Sequence, residues 1–182
     1  KALDRKTGDH GLLALDWLNG NRSVLMNSDL KGVLVGLTLK TKPEDIYRAM
    51  IEATAFGTRI IVETYEESGL NIDELHACGG LASNPLIMQI YSDVSGRTIN
   101  VSSSSQTTAL GAAILGSVAA GPEHGGYGSY VEAIKKMTKP AKITYKSDQR
   151  NIKIYNKNFS KYKLLHDFFG RDNLLMEKFC NQ

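Results

Sequence analysis

The residues best suited to chemistry in this sequence lie in one short segment, CGGLASNP at residues 78–85. Glycines at 79 and 80 follow a predicted strand, and Asn84 with Pro85 is a good pair for the start of a helix. Glycine lets a ligand approach the backbone without a Cβ in the way. The N–H groups at a helix start suit a phosphate. The segment is therefore a candidate ligand site around Gly79 and Gly80, with Asn84 as the N-cap of the following helix.

A simpler explanation of the diglycine also stays open. A tight turn between a strand and a helix needs glycine for its geometry alone, and the local pattern by itself favours that explanation. The segment is not a Walker A loop, because Gly-Lys-Ser/Thr is absent. The glycine-rich stretch at 121–129 follows a predicted helix rather than a strand, so it does not fit a dinucleotide fingerprint.

Other reactive side chains give weaker signals. Asp16 ends a predicted strand and could contact a ligand or metal, but a turn or capping carboxylate is the favoured explanation. The four histidines lack the spacing of metal ligands, and we expect His76 to be packed. Cys78 has no identifiable partner base, so we expect a small core side chain. The sequence therefore predicts no metal ligand.

Alternating strands and helices would position these residues. The sequence predicts four short strands, at residues 11–16, 32–37, 74–78 and 98–101. Thr41 and Glu44 have capping-box spacing at the start of a long helix, which Gly69 would end. Ser105 is a candidate N-cap for a helix over 106–120 whose small residues let another backbone approach. The alternation predicts an α/β layer with helices packed on a sheet.

The C-terminal part predicts a lysine-rich helix with one apolar side. That side carries Tyr155, Phe159, Tyr162, Leu165 and Phe169. Stacking on nucleic acid is one use of such aromatic residues, but packing them in a core while the lysines stay solvated is the favoured explanation. The net charge of +3 is only mildly basic, so we expect no nucleic-acid partner.

The composition is that of an ordinary globular chain. Its 182 residues, 42% hydrophobic and 23% charged, suffice for one domain with a core. No apolar run approaches the roughly 18 residues that span a bilayer, and no charged-then-apolar leader opens the chain. Cys78 and Cys180 lie far apart, so we expect a cytoplasmic protein without a membrane partner. Because the chain starts without Met and within a sequence pattern that is already under way, we expect it to be a piece of a larger protein.

Three stretches resemble the FGGY family of carbohydrate kinases. Residues 32–52, GVLVGLTLKTKPEDIYRAMIE, are similar to the family's C-terminal signature, which is long and specific. Residues 79–97, GGLASNPLIMQIYSDVSGR, resemble its adenosine motif. Residues 107–116, TTALGAAILG, resemble the small-residue helix that follows. The resemblance spans roughly residues 11–120.

This resemblance implies a ribonuclease H-like, actin-like ATPase fold, in which helices flank an α/β sheet. Residues 1–140 would be the C-terminal nucleotide-binding domain, and residues 141–182 a C-terminal helical extension. The implied cofactors are ATP and Mg²⁺. Gly80 and Asn84 match family positions that contact the adenosine part of ATP, with Gly79 beside them. With the resemblance added, nucleotide binding replaces the tight turn as the favoured explanation of the diglycine.

The resemblance also implies what the chain lacks. The family's catalytic Asp, its N-terminal phosphate loop and most sugar contacts lie before the C-terminal signature, so we assign no catalytic residue within 1–182. We therefore expect the chain to be inactive as a kinase by itself. Its expected protein partners are the missing N-terminal domain of the same polypeptide and a second copy in a homodimer.

Two segments bear on the sugar. Residues 12–23, LLALDWLNGNRS, and residues 53–63, ATAFGTRIIVE, resemble the family members that phosphorylate a ketopentose, with L-ribulose as the expected substrate. One alternative is another FGGY sugar kinase, of the xylulokinase or glycerol kinase type. A second alternative is a non-catalytic actin-like nucleotide-binding module, which the catalytic Asp in the longer protein would exclude.

Overall fold

A computed structural model describes residues 7–171 and Met176. Its strands are β1 (Leu13–Leu15), β2 (Val33–Val35), β3 (Glu74–Ala77), β4 (Thr98–Val101) and β5 (Ile143–Tyr145). Its α-helices are α1 (Pro43–Glu67), α2 (Pro85–Ser95), α3 (Thr107–Ala120), α4 (Tyr130–Met137) and α5 (Gln149–Gly170). Short 3₁₀ turns cover Gly80–Ser83 and Pro122–His124. None of the helices in these ranges is long and apolar enough to cross a membrane.

The strands form two small sheets. β1 and β2 pair antiparallel, with Leu13 opposite Val35. β3 and β4 pair in parallel, and α2 is the crossover between them. β5 pairs antiparallel with the other edge of β4, which gives the order β3-β4-β5. Because β3 and β4 are parallel, their carboxyl ends lie side by side at one edge of the sheet.

Helix α1 begins one residue later than the sequence predicts. The predicted capping box of Thr41 and Glu44 is wrong, because the N-cap is Lys42. The Lys42 N–H donates to the Asp45 carboxylate at 3.0 Å. The Thr41 hydroxyl is used elsewhere, because it accepts the Thr38 N–H at 2.9 Å in the preceding turn. The predicted end at Gly69 is confirmed, since Gly69 has φ of 91° and follows the C-cap.

The main core lies between α1 and α5. Phe56 of α1 is buried with its ring 5.2 Å from that of Tyr162 and 5.9 Å from that of Phe159. The Arg59 guanidinium lies 4.1 Å from the centre of the Phe159 ring. The predicted apolar side of the terminal helix is thereby confirmed as a packing surface: Tyr155, Phe159 and Tyr162 are all buried.

Helix α2 joins this core to the three-stranded sheet. Its Ile90 and Val94 belong to the cluster of α1 and α5. Ile87 and Met88 instead pack with Ile99 and other residues of the sheet. Both β5 and α5 follow residue 140, and they pair with β4 and pack against α1 and α2. The division of the chain at residue 140 stays a prediction.

A buried charged network fixes α1 within the fold. Arg48 donates from Nε to Glu52 at 2.7 Å and from its terminal nitrogen to the Tyr155 hydroxyl at 2.9 Å. The Tyr155 hydroxyl donates in turn to Glu52 at 3.0 Å. His10 Nε2 lies 3.0 Å from Glu52, and its Nδ1 accepts the Leu12 N–H at 3.1 Å. His10 thereby ties the segment before β1 to Glu52 of α1.

The network keeps Glu52 ionised although it is buried. Burial raises the pKa of Glu52, but hydrogen bonds and charge from His10 and Arg48 outweigh that effect and hold the pKa below its ordinary value. A carboxyl whose pKa is lowered by folding stabilises the fold above the pKa of the unfolded chain, about 4.3. That contribution is lost as the pH falls through the folded value.

Two elements are absent from the sequence prediction. α4 and β5 are both short, and each has mostly exposed residues. β5 is ordered by pairing with β4, and α4 is capped by Ser129, whose hydroxyl accepts the Glu132 N–H. β5 has no buried stripe that a sequence pattern could reveal, whereas α4 carries a signal that the prediction overlooked, the capping-box spacing of Ser129 and Glu132 before a short amphipathic run.

We expect Glu52→Gln to lower the free energy of unfolding by about 3–5 kcal/mol, because it leaves Arg48 charged, buried and without its counter-ion. Glu63→Gln is the matched control, since Arg59 and Glu63 form the same i,i+4 pair on α1 at 3.0 Å but with partly exposed side chains. It should cost about 1 kcal/mol or less. Urea titration of both variants measures the difference, and equal losses would contradict the role given to the buried network.

Candidate functional site

A cleft of about 360 Å³ opens at the carboxyl ends of β3 and β4. Residues of the turn 78–85 line one part of it, the loop 102–105 another, and Lys142, Ile143 and Tyr145 a third. Ligands of open α/β sheets bind outside the carboxyl ends of the strands. The volume falls within the range of roughly 300–1,000 Å³ that is usual for small-molecule sites. This cleft is the candidate site.

The two glycines of the turn serve different purposes. Gly79 has φ of 88° and ψ of −173°, a conformation open essentially to glycine alone. Gly80 lies outside the left-handed region, and a Cβ built on it would meet nothing within 4 Å. The simpler explanation of the diglycine therefore accounts for Gly79. Both glycines line the cleft beside open space, but only Gly80 is left without a backbone reason for glycine, which leaves the close approach of a ligand as its explanation.

Asn84 is the N-cap of α2, as the sequence predicts. Its side-chain oxygen accepts the N–H groups of Leu86 at 3.0 Å and Ile87 at 3.4 Å. The expectation of free N–H groups at this helix start is wrong for those two residues, because Asn84 already binds them. A 3₁₀ turn over Gly80–Ser83 also separates the diglycine from the helix. Asn84 is exposed but does not line the cleft, so its contact with a ligand stays a prediction.

The loop 102–105 is the part of the site that the sequence did not reveal. The Ser102 N–H donates to the Ala77 carbonyl at 3.0 Å, which joins the ends of β3 and β4. The prediction that Ser105 caps the next helix is wrong, since α3 begins at Thr107 and the Ser104 hydroxyl accepts the Gln106 N–H at 3.2 Å. Four successive serines directly after a strand were the available signal, because they offer hydroxyl donors at the ligand-binding edge.

Two side chains near the cleft are exposed where the sequence predicts burial. Cys78 follows the last residue of β3, so it lies at the cleft rather than in the core. The His76 side chain is 70% exposed and lies 3.1 Å from the Glu74 carboxylate. Leu75 and Ala77 alternate with these residues and pack against the apolar cluster around α2. β3 is thus buried on one face only.

Asp93 of α2 holds the β5 side of the cleft in place. Its buried carboxylate accepts the Gln89 amide at 2.9 Å, the Asp148 N–H at 2.8 Å and the Asn151 amide at 2.8 Å. Asp148 and Asn151 belong to the link between β5 and α5 and to the first turn of α5. A buried carboxylate with three donors fixes this link relative to α2.

Asp16 lies away from the cleft. It lines a second cavity of about 330 Å³ with residues that include Arg22, Gly57 and Tyr91. Burial raises the pKa of Asp16. The structure therefore does not bring Asp16 together with Gly79 and Gly80. Over residues 7–171 and Met176, no three His, Cys, Asp or Glu side chains are grouped as metal ligands would be.

Solved structures with similar backbones identify the class of fold. A gluconate kinase from Lactobacillus acidophilus matches with a TM-score of 0.83 at 21% identity, over 98% of this chain and 34% of that one. A Plasmodium falciparum glycerol kinase with ADP matches with a TM-score of 0.70 at 23% identity, over 91% of this chain and 32% of that one. The fold is that of the actin-like ATPases.

The sequence then places the chain within that class. Residues 1–120 match the model of the FGGY family of carbohydrate kinases, C-terminal domain, and the chain belongs to this family. A ribulokinase of Anoxybacillus flavithermus is 53% identical over 180 residues, which cover 98% of this chain and 32% of that protein. A ribulokinase of Halalkalibacterium halodurans is 54% identical over 172 residues, 94% of this chain and 31% of that protein. The chain thus spans about a third of the length of these relatives.

We expect the two glycines to respond differently to alanine. Gly79→Ala should cost about 1–3 kcal/mol of folding free energy, because it forces a Cβ into a backbone conformation closed to it. Gly80→Ala should change stability by no more than about 0.5 kcal/mol, as at a surface position. Chemical denaturation measures both. A loss at Gly80 as large as that at Gly79 would show that both glycines serve the turn alone.

Proposed function

We propose that this chain is the ATP-binding part of an L-ribulose kinase. The longer enzyme transfers the γ-phosphoryl group of ATP to a terminal hydroxyl of the ketopentose and forms L-ribulose 5-phosphate. The observation that carries the proposal is the 53% identity to a ribulokinase over 98% of this chain. Membership in a carbohydrate kinase family supports the reaction class.

The cleft is the place we assign to the nucleotide. The open space at Gly80 admits a flat base or ribose against the backbone, which no side chain of the turn obstructs. The cleft's polar walls come from the loop 102–105 and Lys142. Hydroxyl, amide and ammonium donors of this kind suit the oxygens of ribose and phosphate. We assign Gly79 the shape of the turn, Gly80 the contact with adenosine, and the Asn84 amide a further donor to the nucleoside.

Mg²⁺ would enter with the nucleotide. It usually keeps several waters and binds through substrate phosphates with one or two carboxylates, so it needs no dedicated cluster in this part of the protein. Its chemistry is to neutralise charge on the transferring phosphoryl group. We assign the catalytic base, most sugar contacts and the remaining metal ligands to the part of the longer protein that this chain does not span.

We expect ATP to protect Cys78 from alkylation in the full-length protein, because Cys78 lines the same cleft as Gly80. Gly80→Val should remove most of this protection, since a branched side chain fills the space assigned to the nucleoside. The measurement is the rate at which N-ethylmaleimide modifies the peptide containing Cys78, with and without MgATP. Asn84→Asp retains the cap but lacks an amide donor, so it should weaken the protection less than Gly80→Val.

Leu81→Val is the matched control. It places the same branched side chain one residue further on, at a position that is 63% exposed and outside the lining of the cleft. Protection by ATP should survive in this variant. If ATP fails to protect Cys78 in the parent, or if Gly80→Val retains full protection, the nucleotide does not bind at this cleft.

The reaction itself is tested by release of ADP from the full-length protein with a panel of sugars. We expect L-ribulose to give the highest kcat/KM among L-ribulose, D-xylulose, gluconate and glycerol, and this 182-residue chain to turn over none of them. Without the rest of the sugar site, the chain loses the effective molarity of about 10⁵ M or more that positioning of the sugar provides. Without a general base, the rate falls by a further factor of about 10²–10⁴. Preference for another sugar would assign the chain to a different kinase of the family. Turnover by the chain alone would place the base within it, with Asp16 the first candidate.

A further inference from the structure

The candidate cleft has a polar part and an apolar part. The polar part consists of the loop 102–105, with its four serines, and Lys142. The apolar part is formed by residues from the turn 78–85 and from the sheet: Ala82, Pro85, Val101, Ile143 and Tyr145. A nucleotide has the same two parts, because a base with flat apolar faces is joined to a ribose and phosphates that carry many oxygens. The cleft can therefore orient a nucleotide, with the base in the apolar part.

The Ile143 side chain is only partly covered by the residues that the structure describes. Ile143 is 45% exposed, whereas Ala82 and Val101 are buried in the apolar cluster of α2 and the sheet. Tyr145 also packs against that cluster. Contact with a ligand would remove apolar surface of Ile143 from water, which is favourable. Ile143 is therefore available to cover one face of a base.

Backbone contacts hold Ile143 beside the end of β4. Ile143 lies opposite Val101 in the antiparallel pair of β5 and β4. The Lys142 N–H donates to the Val101 carbonyl at 2.9 Å. At the other end of β5, the Tyr145 carbonyl accepts the hydroxyl of Ser92 on α2 at 3.3 Å. A wall that is ordered before the ligand arrives costs little to order on binding.

Asp93 fixes the chain that follows β5. Its carboxylate accepts the Asp148 N–H and the Asn151 amide, both at 2.8 Å. Asp93 is buried on α2, the helix that follows the turn 78–85. Asp93 therefore ties β5 to the same helix as that turn and sets the spacing between Ile143 and the opposite side of the cleft.

We propose that Ile143 is a base-binding residue of the nucleotide site and that Asp93 is the residue that positions it. The inference rests on the proposed function, because it takes the cleft to be the nucleotide site. The adenine packs one face against Ile143, while the ribose and phosphates extend towards the loop 102–105. Ile143 follows residues 1–120, which match the family model, so the contact comes from outside the matched part of the chain.

The test compares ATP with ribose 5-triphosphate, which lacks the base, in the full-length protein. Ile143→Ala should raise the KM for ATP about fivefold or more, because it removes apolar contact with the base. The inhibition constant of ribose 5-triphosphate and the KM for L-ribulose should change by no more than about twofold, since neither ligand has a base to place on Ile143. Ile154→Ala is the matched control and should change none of these values, because Ile154 lies on α5, is 39% exposed and does not line the cleft.

A double-mutant cycle tests the positioning role of Asp93. Asp93→Ala should raise the KM for ATP and leave kcat and the KM for L-ribulose unchanged. If Asp93 acts through Ile143, adding Ile143→Ala to this variant should raise the KM for ATP by less than about twofold further. Asn151→Ala removes one of the three donors to Asp93 and gives the same comparison in a milder variant.

The outcomes that contradict the proposal differ from failure of the proposed function. If Ile143→Ala leaves the KM for ATP unchanged while ATP protects Cys78 in the parent, the nucleotide occupies the cleft but its base lies elsewhere. If ATP also fails to protect Cys78, the cleft is not the nucleotide site. Equal losses for ATP and ribose 5-triphosphate would show that Ile143→Ala disturbs the whole cleft and would overturn the base contact. Fully additive effects of Asp93→Ala and Ile143→Ala would overturn the positioning role.

Discussion

The buried ion pair of Arg48 and Glu52 is the constraint on which the rest of this structure depends. Both side chains lie on α1, and Tyr155 and His10 complete their hydrogen bonds from α5 and from the segment before β1. Removing one partner of such a pair leaves a buried charge that is far more costly than the pair is favourable. The network therefore holds three distant parts of the chain in one arrangement. α2 packs on α1, and the three-stranded sheet packs on α2. Because the cleft lies at the ends of β3 and β4 in that sheet, its position follows from the position of α1.

Local chemistry in the sequence predicts those features that depend on neighbouring residues. The cap at Asn84, the helix end at Gly69 and the apolar side of α5 are all confirmed. The buried network was beyond such reasoning, because periodicity assigns charged residues to the solvent and because Tyr155, which completes the Arg48–Glu52 pair, lies 107 positions from Arg48. β5 was missed because it depends on pairing with β4 rather than on its own pattern, and α4 was missed although Ser129 and Glu132 have capping-box spacing.

The candidate site was predicted in part. The diglycine was identified from its type and position, but whether it serves a turn or a ligand could not be decided without backbone angles. The backbone angles assign the turn to Gly79, which has a positive φ, whereas Gly80 has no backbone need for glycine and its contact with a ligand stays a prediction. The serine loop and Asp93 were missed because their roles depend on which strand ends meet. Cys78 was expected in the core because it has no identifiable partner base, and His76 because it lies within a predicted strand, but both are exposed.

The central claim is that the nucleotide binds where β3 and β4 end, in a cleft whose position is set by the buried network. The most direct measurement is a crystal structure of the full-length protein with Mg²⁺ and a non-hydrolysable ATP analogue. The account predicts the adenosine in the cleft between the turn 78–85 and the loop 102–105, with an atom of the base or ribose within about 4 Å of the Gly80 backbone. Nucleotide density elsewhere, for example in the cavity lined by Asp16 and Tyr91, with the cleft at Gly80 occupied only by solvent, would contradict it.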